Sequence, residues 1–201
     1  MGKRAICQSC LKALPACICA TIELLDNQHF LHILQDPSEE KKAIGTARIL
    51  DLSLMRSKIT VAEQFDPGLF ALDNSYLVFP DQSAISAEQL VQSREVNQDC
   101  QFILLDGSWK KAYKLLMSNP FLQALPKVAI NVDKKSTYRI RKSPREDGLS
   151  TVEAGYYLLS QLENNRDKFK PLLRSFTYMI DYQISKIPAD IYQKHYLDKE
   201  N

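Results

Sequence analysis

The sequence predicts an α/β domain built on a mostly parallel sheet with helices on both faces, preceded by a small cysteine-rich segment. Three observations carry that prediction. Short runs that are almost wholly apolar, the mark of strands buried on both sides, alternate with segments of helical periodicity. Capping boxes and prolines separate the two kinds of segment. Four of the five cysteines crowd into thirteen residues, as Cys7-x2-Cys10-x6-Cys17-x-Cys19. With 201 residues, 45% of them apolar, the chain can bury one full core. The expected division is residues 1–25 for the cysteine segment and residues 26–201 for the α/β domain.

Four thiolates on short loops can converge on one tetrahedral zinc ion, whereas two disulfides in so short a segment would be strained. A zinc knuckle of Cys7, Cys10, Cys17 and Cys19 is therefore the first reading. Two reduced pairs without metal, or a redox-active C-x-x-C, are the alternatives. Cys100 opens an apolar run and reads as a buried structural thiol. Met1-Gly2-Lys3-Arg4 leads into the cysteines without the apolar run of a signal peptide, and no segment approaches the length of a membrane span. A cytoplasmic, reducing compartment is the expectation, and it favours thiolate chemistry over disulfides.

The first strand is expected at Phe30-Leu31-His32-Ile33-Leu34. Asp36-Pro37-Ser38-Glu39 then reads as a helix start, with an acidic N-cap, proline at N1 and glutamate at N3, and predicts a helix to about Leu52. Ile59-Thr60-Val61-Ala62 and Tyr76-Leu77-Val78-Phe79 are short strand candidates, the second stopped by Pro80. Ser86-Ala87-Glu88-Gln89 is a capping box opening another helix. Phe102-Ile103-Leu104-Leu105 is a continuous apolar strand running through Asp106-Gly107-Ser108 into a helix. There Trp109, Ala112, Tyr113 and Leu116 recur at i, i+3, i+4 and i+7, with Lys110, Lys111 and Lys114 on the opposite face. Lys127-Val128-Ala129-Ile130-Asn131-Val132 is the next strand. Ser150-Thr151-Val152-Glu153 caps a helix whose apolar stripe is Gly155, Leu158, Leu159 and Leu162, and one or two C-terminal helices follow.

Net charge is only +2, but from Lys110 to Arg145 ten Lys or Arg face the single acid Asp133. A block of that sign and density suits a polyanion, RNA or DNA phosphate first, against the alternative of a solvated surface with counter-charges folded over it. Ligands of parallel sheets bind where loops leave the carboxyl ends of strands, and both Asp36 and Asp106 stand at such ends.

Asp106-Gly107-Ser108-Trp109 resembles the D-x-[TS]-W signature of the DTW-domain family. The likeness extends through Leu104 to Ala112, Asn119-Pro120-Phe121-Leu122, Leu125-Pro126, Tyr138-Arg139-Ile140-Arg141 and Ser150-Thr151-Val152-Glu153-Ala154, in family order, and to the N-terminal cysteines. There are departures. Ser108 stands where threonine is commoner, Asp36-Pro37 replaces His-Pro, and Ile44-Gly45-Thr46-Ala47-Arg48 replaces a Thr-Asn-Thr-Gly-Arg run.

The resemblance implies a tRNA-uridine aminocarboxypropyltransferase related to the SPOUT class of trefoil-knotted enzymes. Such an enzyme moves the 3-amino-3-carboxypropyl group of S-adenosylmethionine to N3 of a uridine in tRNA and releases 5′-methylthioadenosine. It also implies a cofactor site of Leu105, Asp106, Ser108, Trp109, Ile130, Ser150, Thr151 and Glu153, and zinc at the cysteines. Uridine N3 is mostly protonated at neutral pH, so the attack needs proton removal or charge stabilisation. Asp106 can accept that proton, bind the cofactor's ammonium, or cap the helix. Trp109 reads as core packing rather than a stacking platform. Lys110, Lys111, Lys114, Arg139, Arg141, Lys142 and Arg145 are the candidate RNA contacts. His29, His32 and His195 lack metal spacing or a nearby nucleophile signature and read as structural or surface residues. A non-enzymatic zinc-containing RNA-binding protein and a SPOUT-like methyltransferase are the competing functions.

Overall fold

The computed structural model of the protein describes residues 5–93, 96, 100–132 and 148–188. Among them six strands form one all-parallel sheet: β1 (Phe30–Gln35), β2 (Ser57–Val61), β3 (Ser75–Val78), β4 (Ile85–Ser86), β5 (Gln101–Asp106) and β6 (Lys127–Ala129). Their order is β2-β1-β5-β3-β6-β4, so the most apolar strands, β1 and β5, lie side by side in the interior. The helices are α1 (Ala47–Ser53), α2 (Ala87–Gln92), α3 (Trp109–Ser118), α4 (Pro120–Ala124), α5 (Thr151–Leu162) and α6 (Arg166–Ile184).

Alternate side chains of a strand leave opposite faces of the sheet. Leu31, Ile33, Phe102 and Leu104 accordingly join one cluster with α1, α2, α5 and α6, while Leu34, Leu77 and Ile103 join a second with α3 and α4. Both faces are covered, as strands without polar alternation require. Helix α5 can lie directly on α1 because position 155 is glycine. A Cβ there would come within 2.6 Å of Leu50 Cδ2, which is itself fully buried. The cysteine segment packs on the same side: Cys10 and Ile18 are buried in the first cluster, and Ser175 Oγ of α6 donates to Thr21 O at 2.7 Å. No helix among the described residues is long and apolar enough to cross a membrane.

Two local expectations are corrected. Residues 36–46 form no helix, and α1 begins only at Ala47. The Asp36 side chain accepts from Ser38 N–H at 3.0 Å, so the proline and acid open a tight turn. Three successive i→i+3 backbone bonds follow, from Glu39, Lys42 and Gly45 N–H, and the carbonyls of Ala43 and Gly45 go to the Lys12 ammonium instead of a helix ladder. The buried face of α3 is also rotated from the expected stripe. It consists of Ala112, Leu115 and Leu116, while Tyr113 is 56% exposed.

Of the structural and surface readings, the buried structural one holds for His29 and His32, and His195 lies outside the described residues. The His32 ring packs against Phe70 and shares a 2.8 Å bond with Thr60 Oγ1, and burial pushes its pKa down to about 4, so it is neutral at physiological pH. Cys100 is buried.

Candidate active site and metal centre

The carboxyl ends of β3, β5 and β6 open onto one cavity, closed from the sides by the first turns of α3 and α5. Its wall is mostly apolar, from Val78, Phe79, Leu104, Val128 and Ile130, with Ser150 and Thr151 at the head of α5. A cavity of this kind suits a small molecule with apolar surface that a few polar groups orient. Of the residues expected to meet a cofactor, Leu105, Trp109, Ile130, Ser150 and Thr151 line it. Trp109 is half-buried, edge-on to Phe79 with ring centroids 6.1 Å apart, and so belongs to the cavity wall rather than to the core. Ser108 is the exposed N-cap residue of α3 and its hydroxyl makes no capping bond. Glu153 is buried and reaches back to Ser150, whose backbone N–H and hydroxyl both donate to Oε2, at 2.8 and 2.7 Å. That capping box fixes the first turn of α5 and so sets where Thr151 stands.

Asp106 ends β5 beside this cavity and is 5% exposed. It is not the cap of α3; its carboxylate turns toward β1 and α5. Gln35 Nε2 donates to Oδ2 at 2.7 Å, and Thr151 Oγ1 donates to Oδ1. Gln35 is its register partner, the last pair of the β1–β5 ladder. The ladder continues past the strands with Asp36 N–H donating to Asp106 O at 3.1 Å. Gly107 lets the chain turn directly into α3, because a Cβ there would meet Lys111 Cβ at 2.9 Å. Among the residues absent from the expected site are Gln35, Leu104 and the segment Val78, Phe79 and Pro80. Only Pro80, stopping a strand at its carboxyl end, gave a signal.

The lysines of α3 divide. Lys111 bridges to the turns after β1, with Nζ 2.7 Å from Glu39 Oε1 and 2.5 Å from Ser38 Oγ, and the Glu39 bond raises its pKa. Lys114 pairs with Glu63 at 2.8 Å, while Lys110 is exposed. Tyr113 and Met117 share the outward face with Lys110 and Lys114. Arg139, Arg141, Lys142 and Arg145, with Tyr138, lie outside the described residues. Val132 and Leu149, which precede and follow that stretch in sequence, both line the cavity.

At the other end of the 36–48 segment the four cysteine sulfurs lie within 4.8 Å of one another. Cys7 Sγ is 3.6 Å from Cys19 Sγ, and Cys10 Sγ 3.7 Å from Cys17 Sγ. These separations exclude sulfur–sulfur bonds of about 2.05 Å. They match the edge of about 3.8 Å of a tetrahedron with four sulfurs about 2.3 Å from its centre. Backbone N–H groups of Cys10 and Ser9 aimed at the Cys7 sulfur lower its pKa to about 6, while burial pushes Cys19 up to about 12. Leu11, at φ 57°, turns the chain out of the Cys7-x2-Cys10 loop. Lys12 is buried beside the cluster, and Arg48 grips the Ser9 carbonyl through Nε at 3.0 Å and Nη2 at 2.9 Å.

The family described as the DTW domain matches residues 4–184. The chain belongs to the DTW-domain family. The match takes in the Asp106-Gly107-Ser108-Trp109 turn, the cavity and the cysteine cluster together. Curated relatives of this DTW-domain chain carry one name, tRNA-uridine aminocarboxypropyltransferase 2. The Drosophila melanogaster protein is 27% identical over 100% of this chain and 83% of its own length. The Mus musculus protein is 26% identical over 97% and 69%, and the Macaca fascicularis protein 26% identical over 90% and 64%. No solved structure matches the chain.

Proposed function

We propose that this protein transfers the 3-amino-3-carboxypropyl group of S-adenosylmethionine to N3 of a uridine in tRNA, in the cytoplasm, releasing 5′-methylthioadenosine. The observation that carries the reading is the D-G-S-W turn at the carboxyl end of β5, which places a buried carboxylate beside an apolar cavity in a chain whose relatives share that activity name. S-adenosylmethionine supplies a carbon activated by its sulfonium. The chain supplies the rest. Phe79, Leu104, Val128 and Trp109 exclude water from the adenosine and sulfonium, which strengthens every charge interaction there. The Asp106 carboxylate, bonded by the Thr151 hydroxyl, takes the N3 proton or fixes the donor's ammonium. In this reading residues 26–201 form the catalytic domain, with the trefoil-knotted core of the SPOUT class, and residues 1–25 the knuckle. Leu105, Ser108, Ile130, Ser150 and Glu153 complete the cofactor site as contacts or supports.

The same proposal puts one zinc ion on Cys7, Cys10, Cys17 and Cys19. The near-tetrahedral spacing and all-thiolate donor set suit zinc in a closed, structural site. Lys12 offsets part of the negative charge such a centre carries.

Product analysis tests the reaction. Incubation with tRNA and S-adenosylmethionine should yield methylthioadenosine and a nucleoside heavier by the aminocarboxypropyl group. Release of S-adenosylhomocysteine would make the protein a methyltransferase, and no turnover with retained tRNA binding would make it a binding protein.

For the RNA, the outward face of α3 and the stretch bearing Arg139, Arg141, Lys142 and Arg145 form the docking surface, with Tyr113 offering a ring to an unpaired base. Lys110→Glu with Lys114→Glu should weaken tRNA binding several-fold and flatten its salt dependence, since fewer counterions are released. Lys111 is left intact in that variant because it braces the turns after β1. An unchanged salt slope would remove α3 from the interface.

A further inference from the structure

Gln35 is a buried polar side chain to which the reaction described above gives no part, and its position explains it. It is 6% exposed, it closes β1, and its amide donates to Asp106 Oδ2 at 2.7 Å. A glutamine at the end of a strand of buried aliphatic residues costs free energy unless its amide is bonded. Here register pairing across β1 and β5 aims it at the one carboxylate in the D-G-S-W turn. Resting on the proposed role of Asp106, we infer that Gln35 is a positioning residue for the transfer reaction. It holds the Asp106 carboxylate ionised and oriented, opposite the Thr151 hydroxyl, while itself touching neither substrate.

The physical basis is the asymmetry of a buried carboxylate. Desolvation favours the protonated form, whereas bonds donated to its oxygens favour the charged form. Gln35 is neutral at all pH values, so its donation never switches. The titratable groups on the surrounding elements have other duties. Asp36 accepts from Ser38, Glu39 pairs with Lys111 of α3, and Glu153 of α5 accepts from Ser150. On the other side of Gln35 lie Lys12, Lys42, Arg48 and Glu40. Lys12 donates to the Ala43 and Gly45 carbonyls, Lys42 pairs with Glu39, Arg48 pairs with Asp51, and Glu40 is exposed to solvent. Replacing the amide by a carboxyl would put two acids where one now sits. The pair would then share a proton and ionise fully only at higher pH.

Two variants test this in the full-length, zinc-loaded protein. Gln35→Met removes the donor at similar volume and should slow transfer by about 10–100-fold, the range for an outer partner that orients a functional ligand. KM for tRNA should not change. Gln35→Glu should move the acidic limb of the pH–rate profile upward by at least about one unit, a shift that a packing defect does not produce. Melting temperature and zinc content serve as controls for folding. Transfer at the wild-type rate by Gln35→Met, or an unmoved acidic limb in Gln35→Glu, overturns the inference. Asp106→Asn in the same assay separates the two levels. If it is active, the role given to Asp106 fails. If it is inactive while the Gln35 variants are normal, only the positioning role of Gln35 fails.

Discussion

Cys10→Ser is expected to release the metal, lower the melting temperature and reduce transfer, although no cysteine lines the cavity. Cys10 is 1% exposed and is packed, with Ile18, into the cluster that includes α5 and α6. Serine would leave a buried hydroxyl and three crowded thiols in place of a closed four-thiolate site. Structural zinc binding contributes about 10–16 kcal/mol in small fingers that have no other core. A domain with its own sheet should lose less, on the order of several kcal/mol. The effect should reach the active site through residues 36–48. Lys12 and the Ser9 carbonyl hold that segment at one end. Its other contacts include Asp36 N–H on Asp106 O, Glu39 on Lys111, and Thr46 Oγ1 accepting from Val152 N–H at 3.3 Å. Metal analysis should find one zinc per wild-type chain and none in Cys10→Ser. A metal-free wild-type protein with all four thiols freely titratable would remove the knuckle from this account.

Much of this architecture is visible in the chain because the relevant signals are local. The apolar runs of β1 and β5 declare strands buried on both faces, and the capping boxes at Ser86 and Ser150 declare the starts of α2 and α5. Cysteine spacing alone brings the four sulfurs together. What was not visible depends on partners distant in sequence. Asp36-Pro37-Ser38-Glu39 carries the composition of a helix start, yet Lys12 and Lys111 claim the groups a helix would have used. Tyr113 fits the apolar period of α3, but Ala112, Leu115 and Leu116 are the residues buried, and the ring is left outside. Gln35 and Asp106 are 71 residues apart, and only the parallel register of β1 and β5 makes them neighbours. Periodicity reports which face is buried; it is silent on what meets that face.

Asp106→Asn should fold normally, keep its zinc and bind tRNA, yet transfer the aminocarboxypropyl group at least about a hundredfold more slowly, the low end for general-base catalysis. Folding survives because the change is nearly isosteric and Asp106 does not stand at the N-cap position of α3. The asparagine can keep one oxygen for the Thr151 hydroxyl and offer its amide N–H to a flipped Gln35 amide, so neither neighbour is left unbonded. What disappears is the negative charge, in a place where burial makes a charge count for more than in water. Affinity for S-adenosylmethionine in the same variant divides the two roles. Preserved affinity with slow transfer identifies Asp106 as the group that takes the uridine N3 proton, because the donor binds before that proton moves. A large loss of affinity identifies it as the partner of the donor's ammonium, because that charge is present in the ground state and binding alone senses it. Turnover near the wild-type rate would refute both, and would leave the carboxylate as a tie between the ends of β1, β5 and α5.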